Sequence, residues 1–228
     1  MIVGLLVAAG YGRRFDPTGA RSKLETRIGS VMVAVRTAQP LLANCDRVIA
    51  VVRPESTRLA DELAAAGCDI TLVTGDEGMG NSIARGAQTA ARFDALRLLL
   101  VQPADMPWLS GPSVQKVLQA VTRDDQPIVV PTFDGRDGHP VRFDSRLLPA
   151  LSQLSGERGA RQLLLRFPPL RIAVDDEGVV RDLDMPQDIV PGSPQDLVPG
   201  SPQGLEPESR GDVAPSPGST FHRDSPIR

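Results

Sequence analysis

Of 228 residues only two are cysteines and two are histidines, and 28 acidic side chains slightly outnumber 25 basic ones. Cys45 and Cys68 have no histidine near them in sequence, so the spacings of a zinc site or a disulfide framework are missing. They read as buried, reduced thiols of a cytosolic protein. The missing positive surplus argues against a nucleic-acid groove, which needs clustered cations along a phosphate backbone. No apolar run approaches the roughly 20 residues of a membrane span, and Met1-Ile2-Val3-Gly4 has no basic leader-like start. Aromatic residues make up only 4%, which leaves a Val/Leu/Ala interior. A cytoplasmic protein without membrane or nucleic-acid partners is expected.

What is present is alternation. Met1 to Val7 is a short apolar run, the pattern of a strand buried on both faces. Helical spacing of Val31, Val35, Ala38 and Leu42 predicts a helix over 29–42. A strand at 47–52, a helix at 55–66 closed by Gly67, a strand at 69–73, a helix at 78–93 and a strand at 97–102 follow. Beyond Trp108 the pattern predicts a helix at 111–121, a strand at 128–130 bordered by Pro127 and Pro131, and strands at 139–143 and 171–174 around a helix at 157–167. A last strand is expected at 179–184. Such alternation with short links is that of an α/β, mostly parallel sheet between helices.

The first strand empties into Ala8-Ala9-Gly10-Tyr11-Gly12-Arg13-Arg14, and Ser22-Lys23-Leu24 comes soon after. Small residues leave the main chain open, and successive N–H groups of such a turn can face an anion. Two arginines and a lysine then supply charge for several phosphates. Two familiar alternatives do not match. Phe15 stands where a dinucleotide fold wants its third glycine, the second strand ends at Arg53 rather than at an acid, and no Gly-Lys-Ser/Thr closes a P-loop. A tight strand-to-helix turn is the plain structural reading.

Asp105, in Gln102-Pro103-Ala104-Asp105-Met106-Pro107, directly follows the fourth strand. A carboxylate there is either a turn cap or a ligand for Mg²⁺, which takes one or two protein carboxylates plus phosphate oxygens. Asp182 and Asp184 form a second acidic pair, placed on one face by strand alternation. Gly78-Met79-Gly80-Asn81-Ser82 opens a helix, with Asn81 or Ser82 suited to cap it. Asp76 lies in the same loop.

Together these stretches resemble the molybdenum cofactor cytidylyltransferases and their guanylyltransferase relatives over residues 1 to 190. The start is similar to their L-A-A-G-x-G-x-R-F…K-L signature, Asp105-Met106-Pro107 to their metal motif, and Asp182-Leu183-Asp184-Met185-Pro186 to their D-I-D-T-P. Gly78-Met79-Gly80-Asn81-Ser82 resembles G-M-G-x-S, Gly138-His139-Pro140 resembles G-H-P, and Gly156 to Arg161 resembles G-D-R-G-A-R. The resemblance implies a three-layer, Rossmann-like nucleotidyltransferase fold of the nucleotide-diphospho-sugar transferase type. It implies that Ala8, Ala9, Gly10, Gly12, Arg13, Lys23, Asp76, Gly80, Asn81 and Ser82 bind nucleotide. Arg13, Lys23 and Asp105 become catalytic, Asp105 and Asp184 hold Mg²⁺, and His139, Arg158 and Arg161 bind the acceptor.

The implied reaction transfers CMP from CTP to molybdenum-molybdopterin and releases pyrophosphate, with a molybdoenzyme or its maturation chaperone as a partner for the product. Ala8-Ala9-Gly10 is similar to the cytidylyl branch, whereas the guanylyl branch tends to Ala-Gly-Gly. Ala104 stands where glycine is common, and Lys23-Leu24-Glu25-Thr26-Arg27 lacks the usual proline-containing run. Alternatives are a guanylyl or other NTP transfer to a different phosphorylated acceptor, or a non-catalytic cofactor-binding and delivery protein.

After Ile189 the character changes. Val190-Pro191-Gly192-Ser193-Pro194-Gln195-Asp196-Leu197 recurs nearly unchanged from Val198 to Leu205. Prolines this frequent remove backbone donors, so residues 191–228 are expected to form a disordered tail beside a 1–190 catalytic domain.

Overall fold

A buried parallel strand, β1 (Ile2–Val7), lies at the centre of the sheet between β4 (Arg47–Val52) and β6 (Leu98–Pro103), parallel to both. The computed structural model describes residues 1–10, 15, 22–75, 78–185 and 188, and all belong to one compact unit, Met1–Asp196. In chain order, β2 (Arg27–Ile28) and β3 (Val31–Met32) form a small hairpin that leads into α1 (Val33–Leu42). After β4 come α2 (Thr57–Ala65), β5 (Asp69–Leu72), α3 (Gly78–Ala90), β6 and α4 (Gly111–Gln119). The second half holds β7 (Ile128–Phe133), β8 (Arg136–Asp137), β9 (Val141–Asp144), α5 (Leu148–Leu151), α6 (Arg161–Arg166) and β10 (Leu170–Ala173).

The main sheet runs β10-β7-β9-β6-β1-β4-β5, with β8 attached to β7. It is parallel except where β9 inserts antiparallel between β6 and β7 and where β8 turns back on β7. Side chains alternate between two cores. Leu6, Val48, Ala50, Val52 and Leu100 pack against α1, α2 and α4 through Ala38, Leu41, Leu59, Leu63 and Val114. Val3, Leu5, Ile49, Val51, Leu99 and Val101 face α3, α5 and α6 through Ile83, Ala87, Leu151 and Leu163. Each fully buried aliphatic side chain contributes about 1.5–3 kcal/mol relative to exposure. Three layers result, as the alternation predicts. Cys45 and Cys68 are free thiols, pushed up to about 12 and about 11 by burial first and by the neighbouring aspartates second. Among the described residues no helix is long and apolar enough to cross a membrane.

The differences from expectation are local. The helix expected from Gly29 starts at Val33, because Gly29 (φ 63°) and Ser30 turn a hairpin in which Ile28 pairs with Val31. Pro131 lies inside β7 rather than at its border. It falls where β7 stops pairing with β9, at Ile128 and Val129, and starts pairing with β8, at Thr132 and Phe133. The helix expected over 157–167 is reduced to α6, Arg161–Arg166, behind a glycine-rich loop.

The strand expected at 179–184 is absent. A 3-10 turn, Glu177–Val179, is followed by irregular chain; Val179, which ends the turn, and Leu183 beyond it are fully buried. Residues 180–184 pair with no strand of the sheet, so Asp182 and Asp184 are not presented by a pleat. Asp182 is exposed.

Candidate active site

The carboxyl ends of β1, β4, β5 and β6 open on one cavity of about 240 Å³, lined among others by Ala9, Gly10, Lys23, Arg53, Asn81, Ser82 and Asp105. Open α/β sheets gather ligands at this end of their strands. The turn after β1 is held from both sides. The Ala8 N–H donates to Val51 O at 2.9 Å, and the Ala104 N–H donates to Val7 O at 3.0 Å. Ala8 is thereby turned into the core and does not line the cavity, whereas Ala9 and Gly10 do. Gly10 is exposed, and a Cβ there would meet nothing within 4 Å. Gly12, Arg13 and Asp76 lie outside the described residues.

Lys23 stands at the start of a 3-10 turn, Lys23–Glu25, whose Leu24 is buried. Its Nζ lies 2.5 Å from an Asp105 oxygen and 3.9 Å from an Asp184 oxygen. The ammonium and the Asp105 carboxylate are 16% and 19% exposed, enough shielding for their attraction to exceed that of a surface pair. Two acids 79 positions apart in sequence thus converge on one positive charge.

Asp184 reaches this point through a chain of anchors. The Leu183 N–H donates to Asp105 O at 2.8 Å, and the Leu183 side chain is buried with Phe15, Ile28 and Val33. Arg181 stacks on Trp108 at 4.0 Å. Asp188 accepts from the N–H groups of Asp184 and Met185 at 3.0 and 2.7 Å, so it braces the turn that carries Asp184. Gly178 is pressed against Trp108, where a Cβ would come within 2.1 Å of the carbonyl oxygen.

A second cavity, about 230 Å³, adjoins the first, and Val7, Met79 and Pro103 line both. Its walls are mostly apolar, including Ile83, Val101, Phe143 and Leu164, with His139, Arg158 and Arg161 at its polar side. His139 is set by its own N–H, which donates to Val179 O at 2.7 Å. Its Nδ1 is buried and makes no hydrogen bond among the described residues. Burial lowers the pKa of the imidazole below its ordinary value, against the Val101 carbonyl and the Asp105 and Asp182 carboxylates, which raise it. Arg158 and Arg161 are exposed, one in the loop before α6 and one at its first position.

Asn81 and Ser82 do not cap α3, which begins at Gly78; both lie inside it, Gly80 and Asn81 in its first turn. Gly80 is buried against the loop at 155–157, and the Asn81 Oδ1 accepts from the Gly156 N–H at 3.2 Å. Ser82 is buried and lines the first cavity.

Two lining residues escaped the sequence reading. Arg53, at the end of β4, donates from Nε to Ala9 O at 2.6 Å and so fixes the turn from the neighbouring strand. A cation closing the second parallel strand beside a bare turn was the available signal. Glu157 faces the first cavity from the loop before α6, and its place at the acidic position of the stretch resembling G-D-R-G-A-R was the available signal.

For a divalent cation, no group of three or more His, Cys, Asp or Glu side chains gathers among the described residues. Two carboxylates already meeting at one cationic nitrogen are a donor set that fits Mg²⁺, which leaves its other positions to phosphate oxygens and water.

A family model described as the MobA-like NTP transferase domain matches residues 4–170. Purine catabolism protein PucB of Bacillus subtilis is 27% identical over 199 residues, covering 82% of this chain and 93% of that protein. Rv0371c of Mycobacterium tuberculosis superposes with a TM-score of 0.67 at 21% identity, over 82% of this chain and 94% of that one, and has also been solved in complex with manganese. A nucleotidyl transferase from Methanothermobacter, Mth528, gives 0.68 at 19% identity over 82% and 94%. The fold is the Rossmann-like one of nucleotidyltransferases.

Proposed function

The chain belongs to the MobA-like NTP transferase family, and from that premise we propose that it moves CMP from CTP to molybdenum-molybdopterin and releases pyrophosphate. The observation that carries this reading is the meeting of Lys23, Asp105 and Asp184 at the cavity below the turn after β1. Asp105 and Asp184 would hold Mg²⁺, which supplies Lewis-acid charge on the phosphates. The manganese complex of Rv0371c is in keeping with a divalent ion.

Lys23 and, by its place in the sequence, Arg13 offset the triphosphate charge, and the main chain at Ala9 and Gly10 receives it. Arg53 keeps that turn in place. An oxygen of the acceptor's terminal phosphate attacks the α-phosphorus in line. The new P–O bond forms as the bond to the β-phosphate oxygen breaks, and pyrophosphate leaves with the electron pair. The nucleophile is already an anion at neutral pH, so no general base is required; positioning and charge cancellation carry the catalysis.

Acceptor specificity follows from the second cavity. Its apolar walls suit a flat ring system better than a polyhydroxylated sugar, and Arg158 and Arg161 stand ready for the acceptor's phosphate. Ala8-Ala9-Gly10 is similar to the cytidylyl branch, where the guanylyl enzymes tend to Ala-Gly-Gly, which favours CTP. The product is then passed, in the cytoplasm, to a molybdoenzyme or its chaperone.

The test is pyrophosphate release from the full chain with Mg²⁺ over a matrix of four NTPs against molybdenum-molybdopterin, a sugar phosphate and no acceptor. CTP with molybdenum-molybdopterin should exceed every other pair by at least about 100-fold, and Asp105→Ala should lower it by about 1,000-fold. Greater release with GTP, or with the sugar phosphate, contradicts the assignment.

A further inference from the structure

The loop at 155–160 belongs to both cavities. Glu157 lines the polar one, while Arg158, Gly159 and Ala160 line the apolar one. Facing it, Met79 in the first turn of α3 also lines both. Two hydrogen bonds of opposite direction fasten loop to helix. The Gly80 N–H donates to Gly156 O at 2.8 Å, and the Gly156 N–H donates to Asn81 Oδ1 at 3.2 Å. Gly156 thus commits its peptide donor and its acceptor to α3.

The seam has no room for side chains. A Cβ at Gly80 would lie 2.6 Å from Ser155 O, and one at Gly78 would lie 2.7 Å from the Gly156 carbonyl carbon. Gly156 itself adopts φ 70°, a conformation glycine takes without steric cost. Nothing at this contact can slide; the loop is either seated on α3 or detached from it.

We infer that Asn81 is a positioning residue that fastens the acceptor-side loop to the nucleotide-side helix, so that filling the polar cavity orders the wall of the apolar one. This rests on the reading of the polar cavity as the triphosphate site. A nucleotide on Ser82 and the first turn of α3 immobilises Gly80 and Asn81. Through Gly156 that order passes to Arg158 and Arg161, two and five residues further on. The coupling is reciprocal, so an acceptor seated on the arginines also tightens the nucleotide. A neutral amide suits the post: it accepts the Gly156 N–H without placing a negative charge beside the triphosphate.

The experiment is amide hydrogen exchange of residues 155–161 in the full chain, with and without saturating CTP and Mg²⁺, alongside calorimetric CTP titration of the same samples. In the wild type, CTP and Mg²⁺ should slow exchange in this segment by about tenfold. Asn81→Ala should still saturate, with Kd raised no more than about tenfold, yet lose the slowing. Asn81→Asp keeps an acceptor oxygen and should restore the slowing at saturation. The inference is overturned if the wild-type segment ignores bound CTP, if Asn81→Ala responds like the wild type, if Asn81→Asp responds like Asn81→Ala, or if Asn81→Ala no longer binds CTP, which would make Asn81 a direct ligand. Failure of CTP to bind the wild type at all is read separately in the titration; it removes the triphosphate site and this coupling with it.

Discussion

The two cavities are nearly equal in volume, about 240 and 230 Å³, share Val7, Met79 and Pro103, and are otherwise built in opposite ways. The first is made where parallel strands end and is governed by charge: Lys23, Arg53, Asp105 and, beside them, Asp184. The second lies toward the antiparallel half of the sheet and is governed by shape: Phe143, Val101 and Leu164 with a histidine whose Nδ1 is buried. A triphosphate is recognised by neutralising it, which few residues on rigid strand ends can do. An acceptor is recognised by fit, which takes a wall assembled from several loops. The two cavities share a support in the 3-10 turn Glu177–Val179, which gives Val179 O to the His139 N–H and leads on to Asp184.

That shared turn is where the comparison is most easily broken. Gly178→Ala drives a methyl group onto the Trp108 carbonyl, a fixed backbone atom. It should cost about 2 kcal/mol, seen as a melting temperature lower by roughly 4–8 °C, and should weaken CTP and acceptor together. A loss confined to one substrate would mean the cavities do not depend on a common support. A smaller effect sharpens the contrast. Arg161→Ala removes one charge-assisted contact of about 1.5 kcal/mol, so KM for the acceptor should rise about tenfold while the CTP Kd stays within twofold. An equal change in both constants would assign Arg161 to the nucleotide.

Locality decides what the sequence revealed. The strand at 47–52 is read residue for residue, because buried parallel strands are continuous apolar runs bounded by turn residues. Lys23, Asp105 and Asp184 were named from the sequence by resemblance, and the fold brings them to one point. What depends on contacts between distant stretches was harder to read. The stretch at 179–184 has the composition of a strand, but Gly178 against Trp108 and Arg181 stacked on the Trp108 ring hold it irregular, and neither contact leaves a local trace. Asn81 was expected as a helix cap; its partner, Gly156, is 75 positions away. Arg53 was passed over for a related reason, since only strand order shows that it borders the turn at Ala9.

The central claim is that Asp105 and Asp184 hold the cation that a triphosphate brings with it. Thermal melting of the wild type and of Asp105→Ala, each with CTP alone and with CTP plus Mg²⁺, tests it most directly. At a hundredfold excess over Kd, bound ligand adds about 2.7 kcal/mol. Mg²⁺ should therefore raise the CTP-dependent melting temperature of the wild type by several degrees and that of Asp105→Ala by less than one. An equal Mg²⁺ increment in both proteins would contradict the account.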